Sequence, residues 1–557
     1  MAESLRQQLE RRLSELRQER NTFLPHWQEL TKFLSPRTGK YLVIETNKGS
    51  KANDSIINSC ATTALRTLKS GMHAGMTSQS RPWFRLTTED ADLMKSSAVK
   101  QWLFDVENKM RIIFARSNFY NVMPQIYGAT GGHGTAAMAI LDDHESIIRC
   151  FPFPVGSFML ALNDRLKCDT LYREFPMTVR QMASSFGLDN LSVTVRSLWD
   201  NGSYEQKIPV VHAIEPNLER DAEKMNSKNK PYRSIYYESG SSEPNKFLRE
   251  SGFDEFPVMA PRWDVEGDDV YGYSPGMDAL GLVKGLQFTE KSKAKVVDQI
   301  ARPAMIADSL LRTERTSILA GDITYITNLS SMAHPPFRRA FETDSRAIPE
   351  LRNDIEAIKQ EIKHIMFEDL MMMFATSDVS DITAREVEER HQEKLLVLGP
   401  TIERFGEELY DPAIDRTFAI MMRRGLVSKP PTELQGQNLK IEYISIMAQA
   451  QKLIGTASME RVTGYVGNIA NFNPEAIDKL NVDAAIDEYA SMHGIPPNVI
   501  RTNDEVTGIL RLKAKQQRMQ QLASAVPMVS DAATAARTLS ETKVDETNAL
   551  TRLLGAG

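Results

Sequence analysis

Side chains able to do covalent or metal chemistry are few in this chain, and their spacing is wrong for it. The nine histidines are scattered singly, with no HExxH, no His/Cys pair and no GxSxG elbow. His364 and His391 fall on helical stretches, where surface or packing roles outweigh catalysis. Cys60, Cys150 and Cys168 are odd in number and lack ligand spacing, which argues against disulfides and a zinc site. Asp378, Asp381 and Glu386 form an acidic group that invites a metal reading, but Asp381 and Glu386 sit where helix starts favour negative charge. The run Gly128-Ala-Thr-Gly-Gly-His133-Gly-Thr135 has the glycines of a phosphate loop. Such a loop needs a lysine beside the Ser/Thr to reach the β- and γ-phosphates, and His133 and Gly134 occupy that place. No catalytic residue, cofactor or metal is expected. What remains is a physical inventory: Lys291, Lys293 and Lys295 in one helical stretch, and the run Met371, Met372, Met373, Phe374, Thr376, Ser377.

The elements that would position those two groups are long helices. In 348–370, Leu351, Ile355, Ile358, Ile362, Ile365 and Leu370 mark one stripe, and Leu395, Leu398, Ile402, Phe405 and Leu409 repeat it in 384–425. A short break is expected between them, around Met371 to Asp378. Thr383-Ala-Arg-Glu386 fits a capping box for the second helix. Pro400 removes one backbone donor and clashes with the turn before it, predicting a bend. Asp411-Pro412 reads as a restart, with Asp as cap and Pro at the first position, closed at Gly425. Upstream, Ser274-Pro275 starts a helix reaching about Ile300, roughly 40 Å at 1.5 Å per residue. Residues 301–345 break periodicity with Pro303, Gly321, Pro335 and Pro336, and Ile323–Thr327 reads as a strand. The helices 274–300 and 347–370 should therefore run antiparallel and carry this piece at their far end.

At 557 residues the chain exceeds the size at which one core keeps growing, so several lobes are expected. Residues 4–34 read as a helix with Leu5, Leu9, Leu13, Leu16, Phe23, Trp27 and Leu30 on one face, interrupted at Pro25. Its near-balanced arginines and glutamates argue for a solvated face over a membrane anchor. Residues 54–76 and 94–141 read as mainly helical. From Ile147 to Tyr271 the period shortens: Ser157–Ala161, Ile208–Ile214, Arg233–Tyr237 and Pro257–Ala260 look like strands, with a helix over 178–187. Lys440–Ser445 looks like a strand, and the remainder reads as helical, with a capping box at Thr502–Glu505 and a polar, Ala/Ser/Thr-rich last thirty residues. The fold class is α+β, predominantly helical. No run approaches the ~18 apolar residues of a membrane span, and the N-terminus lacks the apolar region of a signal peptide, so a protein that stays inside a reducing cell is expected. A net charge of −6 disfavours a protein that grips DNA through phosphate contacts, and does not disfavour one that lets DNA pass.

Four passages carry a resemblance: Phe23-Leu-Pro-His-Trp27 through Pro36; Thr77-Ser-Gln-Ser-Arg-Pro-Trp-Phe84; Phe253-Asp-Glu-Phe-Pro257 through Arg262-Trp263 to Tyr271-Gly-Tyr-Ser-Pro275; and Gly494-Ile-Pro-Pro-Asn-Val-Ile-Arg501. In order and spacing the chain resembles the head-to-tail connecting, or portal, proteins of short-tailed bacteriophages. The resemblance implies a twelve-subunit ring at one capsid vertex, with wing, stem, clip and crown regions around a channel for double-stranded DNA. On that plan residues 1–36 are N-terminal helices, 37–270 the α+β wing, 271–300 and 346–370 the stem helices, and 301–345 the clip. Residues 371–383 become the tunnel loop, 384–427 a kinked wing helix, and 428–557 a return strand and helical crown. The implied partners are other copies of the chain, the DNA in transit, the terminase large subunit, a tail adaptor or tail tube protein, the major capsid protein and internal core or scaffold proteins, with no membrane. The implied location is the virion vertex, after assembly in the host cytoplasm. Lys291, Lys293 and Lys295 would line the stem, facing DNA or pairing with acidic residues of the neighbouring stem. Met371 to Phe374 with Thr376 and Ser377 would face the tunnel or fill core. The rivals are a helical core or scaffold protein without a channel and a packaging ATPase, the latter disfavoured by the missing phosphate loop.

Overall fold

The computed structural model describes residues 4–307 apart from scattered loop positions, then 337–339, 347–376, 397–444 without 435–438, and short pieces within 464–517. The chain divides into two compact units. The first comprises 1–86, 104–429 and 441–480, the second 87–103, 430–440 and 481–557. The functional argument rests on the first. Of the second, the described residues include the opening turns of a helix at Ser97, a 3-10 turn at Thr432–Leu434 and helical pieces at 506–509 and 511–517.

In chain order the helices are α1 (Leu5–Phe33), α2 (Cys60–Met76), α3 (Ser97–Arg116), α4 (Phe119–His133), α5 (Val179–Phe186), α6 (Val193–Asp200), α7 (Pro275–Ala301), α8 (Ala347–Ile365), α9 (Glu368–Thr376), α10 (397–405) and α11 (Asp411–Arg423). The strands are β1 (Phe84–Thr88), β2 (Ala137–Asp143), β3 (Ile147–Phe153), β4 (Phe158–Leu162), β5 (Cys168–Thr178), β6 (Lys207–Pro216), β7 (Tyr232–Glu238), β8 (Arg249–Phe253), β9 (Val258–Met259), β10 (Met305–Ala307), β11 (Phe337–Arg339) and β12 (Leu439–Tyr443).

Strands β4 to β8 make an antiparallel meander in sequence order. Period-two alternation sends Val211 and Ala213 of β6 to one face and Val210 to the other. The first face buries Leu9, Leu13 and Leu16 of α1 against Met159, Tyr172, Ile235 and Tyr237. The second buries Val179, Met182 and Phe186 of α5 with Val195 of α6. Both faces being covered, the meander is the middle layer of a three-layer α/β/α lobe.

Several expectations are corrected here. Helix α1 runs unbroken through Pro25, because Trp27 and Leu30 just beyond it are fully buried and packing overrides one lost hydrogen bond. Its arginines are not all solvated: Arg6 donates to the Glu238 carbonyl and lies over the Tyr237 ring, and Arg20 donates to the Gly156 carbonyl. The helical reading of 94–141 fails at its end. α4 stops at His133, and Ala137–Asp143 is a strand paired with both β3 and β9. A fully buried apolar run gives the same sequence signal in either state.

The break expected around Met371 lies earlier. α8 ends at Ile365, Phe367 turns with φ 53°, and α9 then carries helix through Thr376. Nor does Asp411-Pro412 restart a helix. Asp411 is itself helical (φ −58°, ψ −51°), and a π turn over Gly406–Tyr410 joins α10 to α11 without a gap. The extra residue of a π turn accommodates Pro412, whose ring would crowd an α-helical carbonyl. At Pro400 the backbone is helical on the described side and beyond, while residue 396, whose carbonyl would lose its donor, lies outside the described residues. Ser377, the 378–396 segment with its acidic group and capping box, residues 308–336 and 340–346, the Thr502 box and the Gly494–Arg501 passage also lie outside them.

Candidate functional site

The feature that stands out is the root of the α7–α8 pair, where three of the four sequence passages quoted above converge. The start of α7 is capped as Ser274-Pro275 demands: the Ser274 hydroxyl accepts from the Met277 amide at 3.2 Å. Four glycines then let backbones touch. A side chain at Gly276 would lie 2.4 Å from the Gly132 carbonyl, and one at Gly134 (φ 84°) would lie 1.9 Å from that of Gly272. The glycine-rich run of α4 is therefore a packing surface for α7. Its residues through His133 are helical, so their amides serve the helix and offer no phosphate cradle. His133 is fully buried. Burial, with the nearby His26, depresses its pKa to about 4, and its Nε2 lies 3.1 Å from Thr31 Oγ1.

About three turns further along α7, the Gln287 side chain clips the helix to the segment before α2. Its Oε1 accepts from the amides of Ile57 (2.7 Å) and Asn58 (2.8 Å), while its Nε2 donates to the Asn58 carbonyl (2.9 Å). The Asn58 amide group donates in turn to Glu290, which also pairs with Lys293 at 2.5 Å. Lys293 is thus held by its own helix, whereas Lys291 and Lys295 are exposed.

The second passage and the third meet at the π turn. Trp83 and Phe84 pack with Phe114, Phe119 and Tyr410, and the Tyr410 hydroxyl continues into a buried chain, 2.8 Å to Tyr127 and 2.9 Å from Tyr127 to Thr77. Burial pushes the Tyr127 and Tyr410 hydroxyls well above the ordinary phenol range. Arg262 grips the Glu408 carboxylate through its Nε (3.0 Å) and its own backbone amide (2.9 Å), and donates to the Asp269 carbonyl at 2.8 Å. Trp263 donates its backbone N–H to Gly134, tying the same passage to α4. From the other side, the Tyr443 hydroxyl of β12 bonds the Asp411 carboxylate, and its ring covers Gly406, where an added Cβ would approach to 3.1 Å. The first passage contributes Phe23 and Trp27, which pack against Tyr271 tilted and edge-on, at centroid distances of 5.0 and 5.1 Å.

The Met run sits at the foot of α9. Met371 is fully buried, and a side chain at Gly71 of α2 would meet its Cβ and carbonyl oxygen at 2.6 Å each. Met372 is 42% exposed. Met373, Phe374 and Thr376 are helical in backbone. The structure thus brings Met371 into the core beside α2, and leaves Lys291 and Lys295 on the outside of α7.

No nucleophile is prepared anywhere in this arrangement: burial pushes the Cys150 thiol up to about 12. Among the described residues no group of His, Cys, Asp and Glu is placed to hold a metal, and no helix is long and apolar enough to cross a membrane. The geometry is that of two rods fixed rigidly at one end.

Comparison with known proteins gives this root its meaning. Residues 6–500 match the family described as bacteriophage head to tail connecting protein. The chain belongs to that family. Its connecting, or portal, members include the portal protein of Salmonella phage epsilon15, 45% identical over 557 residues and spanning 100% of this chain and 99% of that one. The probable portal protein of Bordetella phage BPP-1 is 39% identical over 540 residues, covering 97% and 96%. A solved chain titled "Neck of empty GTA particle computed with C6 symmetry" covers 84% of this chain and 100% of its own, with 11% identity and a TM-score of 0.34, too slight a likeness to argue from.

Among the small residues Ala61, Ala64, Gly71, Ala74 and Gly75, which the sequence marks in 54–76 as places for another backbone to approach, Gly71 does so against Met371. Reading the sequence misses Gln287, Glu408 and Tyr443. Only Gln287 leaves a trace, as a polar residue beside Leu286 on the buried stripe of α7. The others act through partners far along the chain.

Proposed function

We propose that the chain is one subunit of a structural portal ring at a single capsid vertex, through which double-stranded DNA is packaged and ejected. The observation that carries this is the full-length likeness to the epsilon15 portal protein. It is supported by the way three of the quoted passages build a mount for two rods. Twelve copies form the ring, head to tail, because only repeated heterologous interfaces close around an axis and leave a pore. α7 and α8 are the stem, the 301–345 segment between them the clip, residues 37–270 most of the wing, and the last helices the crown. The clip takes the terminase motor during packaging and the tail adaptor afterwards. The major capsid protein and internal core proteins contact the outside. Assembly takes place in the host cytoplasm and the product is part of the virion.

Passage of the polyanion is mechanical. Twelve chains at −6 each give −72, so the phosphates meet weak or repulsive walls and slide. With Met371 in the core, the tunnel-facing role falls to Met372 and the residues after it. Purified chain imaged by negative stain is expected to show rings with a central hole and to hydrolyse no ATP. A solitary folded unit, solid particles or steady ATP turnover would overturn the reading.

A further inference from the structure

The outer faces of α7 and α8 carry matched ladders. On α7, Lys284, Phe288, Lys291 and Lys295 follow steps of four, three and four, which keeps them on one stripe. All four are exposed, Phe288 at 73%. Beside them Gly281 and Gly285 have nothing within 4 Å of an added Cβ, so the helix backbone is open to close approach there. On α8, Glu350, Asp354, Ala357, Glu361 and His364 follow steps of four, three, four and three, and all are exposed. Lys291, Lys295, Glu350, Asp354 and Glu361 form no ion pair with another described residue of their own chain. By contrast, Lys293 is engaged by Glu290 and Glu356 by Lys359, while Lys284, still half-exposed, reaches Glu29 of its own chain and would be shared between Glu29 and a neighbour.

We infer that α7 of one subunit docks antiparallel on α8 of the next copy, pairing Lys295 with Glu350, Lys291 with Asp354, Phe288 with Ala357, Lys284 with Glu361 and Gly281 with His364. The inference rests on the portal reading above and deepens it by naming the contact that closes the ring along the stem. Three features argue for it. The steps along the two stripes coincide, so a single antiparallel register satisfies every rung. Charge is complementary at three rungs, and size at the other two: the exposed Phe288 ring faces the smallest residue of the α8 stripe, and the His364 ring faces a glycine.

Height agrees as well. β10 and β11 pair antiparallel, Met305 with Arg339, which brings the end of α7 and the approach to α8 together. Rotation about a ring axis keeps every residue at its own height. Lys295 lies six residues before the end of α7 and Glu350 three residues into α8. At about 1.5 Å per residue the offset is about 4.5 Å, less than one helical turn and within the reach of a lysine. Exposed lysines on this stripe are thereby spent on the subunit boundary, and the duplex meets a stem without free cations from it.

The test is trans-complementation in the full-length protein. Variants K291E/K295E and E350K/D354K reverse one ladder each. Each alone is expected to need at least ~10 times more protein than wild type to form rings, by native mass spectrometry and negative stain, with thermal melting of the subunit unchanged. Mixed one to one they are expected to recover rings of strictly alternating subunits, because the two reversed stripes meet at one boundary and the two native stripes at the next. Substituting all four positions in one chain should recover rings also. If wild type and both double variants assemble equally, or if the mixture stays unassembled, the ladder is wrong. Intact rings of K291E/K295E that lose packaged DNA would overturn it too, and give the lysines to the channel. Wild type that forms no ring at all strikes at the portal reading itself and takes the ladder with it.

Discussion

Arg262 and Glu408 show what one residue pair does for the mount. Both are nearly out of water, separated by 146 positions in the chain, and the carboxylate is bonded by the guanidinium and by a backbone amide of the same arginine. Removing one member of such a pair leaves the other desolvated without a counter-charge, which costs about 3–5 kcal/mol. Arg262→Met is therefore expected to lower subunit stability by about 3 kcal/mol in urea unfolding, and Arg262→Lys to recover little of it, because an ammonium lacks the fork. Full stability in the lysine variant would show that charge alone suffices. His133 makes a second residue-scale case, in the opposite sense. Its pKa falls from 6.5 to about 4 on folding, so the unfolded chain binds the proton more readily between those values and stability must drop as pH falls through that window. The loss from this residue is about 2 kcal/mol at pH 5. His133→Gln keeps a group for Thr31 and does not titrate. Its unfolding free energy should fall less than that of wild type between pH 7 and pH 5, and parallel curves for the two proteins would remove His133 as a cause.

Among elements, α9 and α2 are in close backbone contact. The absent side chain of Gly71 is what lets the Met371 backbone lie against α2. Gly71→Ala must push the two helices apart, at a cost of about 1–3 kcal/mol. Met371→Ala is expected not to rescue it, since alanine keeps the Cβ and the carbonyl oxygen stands as close. Rescue in the double variant, read from thermal melting, would show that the helices shift freely once the rest of the methionine side chain is gone and that the backbone approach is not the constraint. The same elements show what can be read from a linear chain. Apolar steps of three and four correctly mark the buried stripes of α8 and α10, where Ile355, Ile362, Leu398 and Phe405 are all in the core. The Ser274-Pro275 start of α7 is legible because a cap is a local interaction. Where packing at long range decides, the text is silent. Phe367 turns in a left-handed conformation with no glycine to announce it. Met371 to Thr376 stay helical because α2 is underneath, and the π turn at Gly406 depends on a tyrosine thirty-seven residues later. Prolines 25 and 412 look like stops, and their surroundings hold helix through them.

At the scale of the whole molecule, the root explains why passage of DNA and rigidity of the ring can be altered separately. Three of the quoted passages are spent on fixing α7, α10 and α11 to the body. The duplex should therefore be sensed by what extends beyond the fixed frame, beginning where α9 emerges past the buried Met371 at the half-exposed Met372. Thr376 stands at the last described turn of that helix. On the portal reading proposed above, Thr376→Arg would add one cation per subunit at one level of the ring, and a polyanion sliding past would acquire attractive sites there. Ring formation should be unchanged, because the frame lies elsewhere. Packaged DNA per particle should fall several-fold, and the defect should weaken as ionic strength rises and screens the new charges. Thr376→Val, which keeps the shape and adds no charge, should package normally. Equal DNA content in all three particles would remove this turn from the path of the genome, and a defect in the valine variant as large as in the arginine variant would assign it to packing instead.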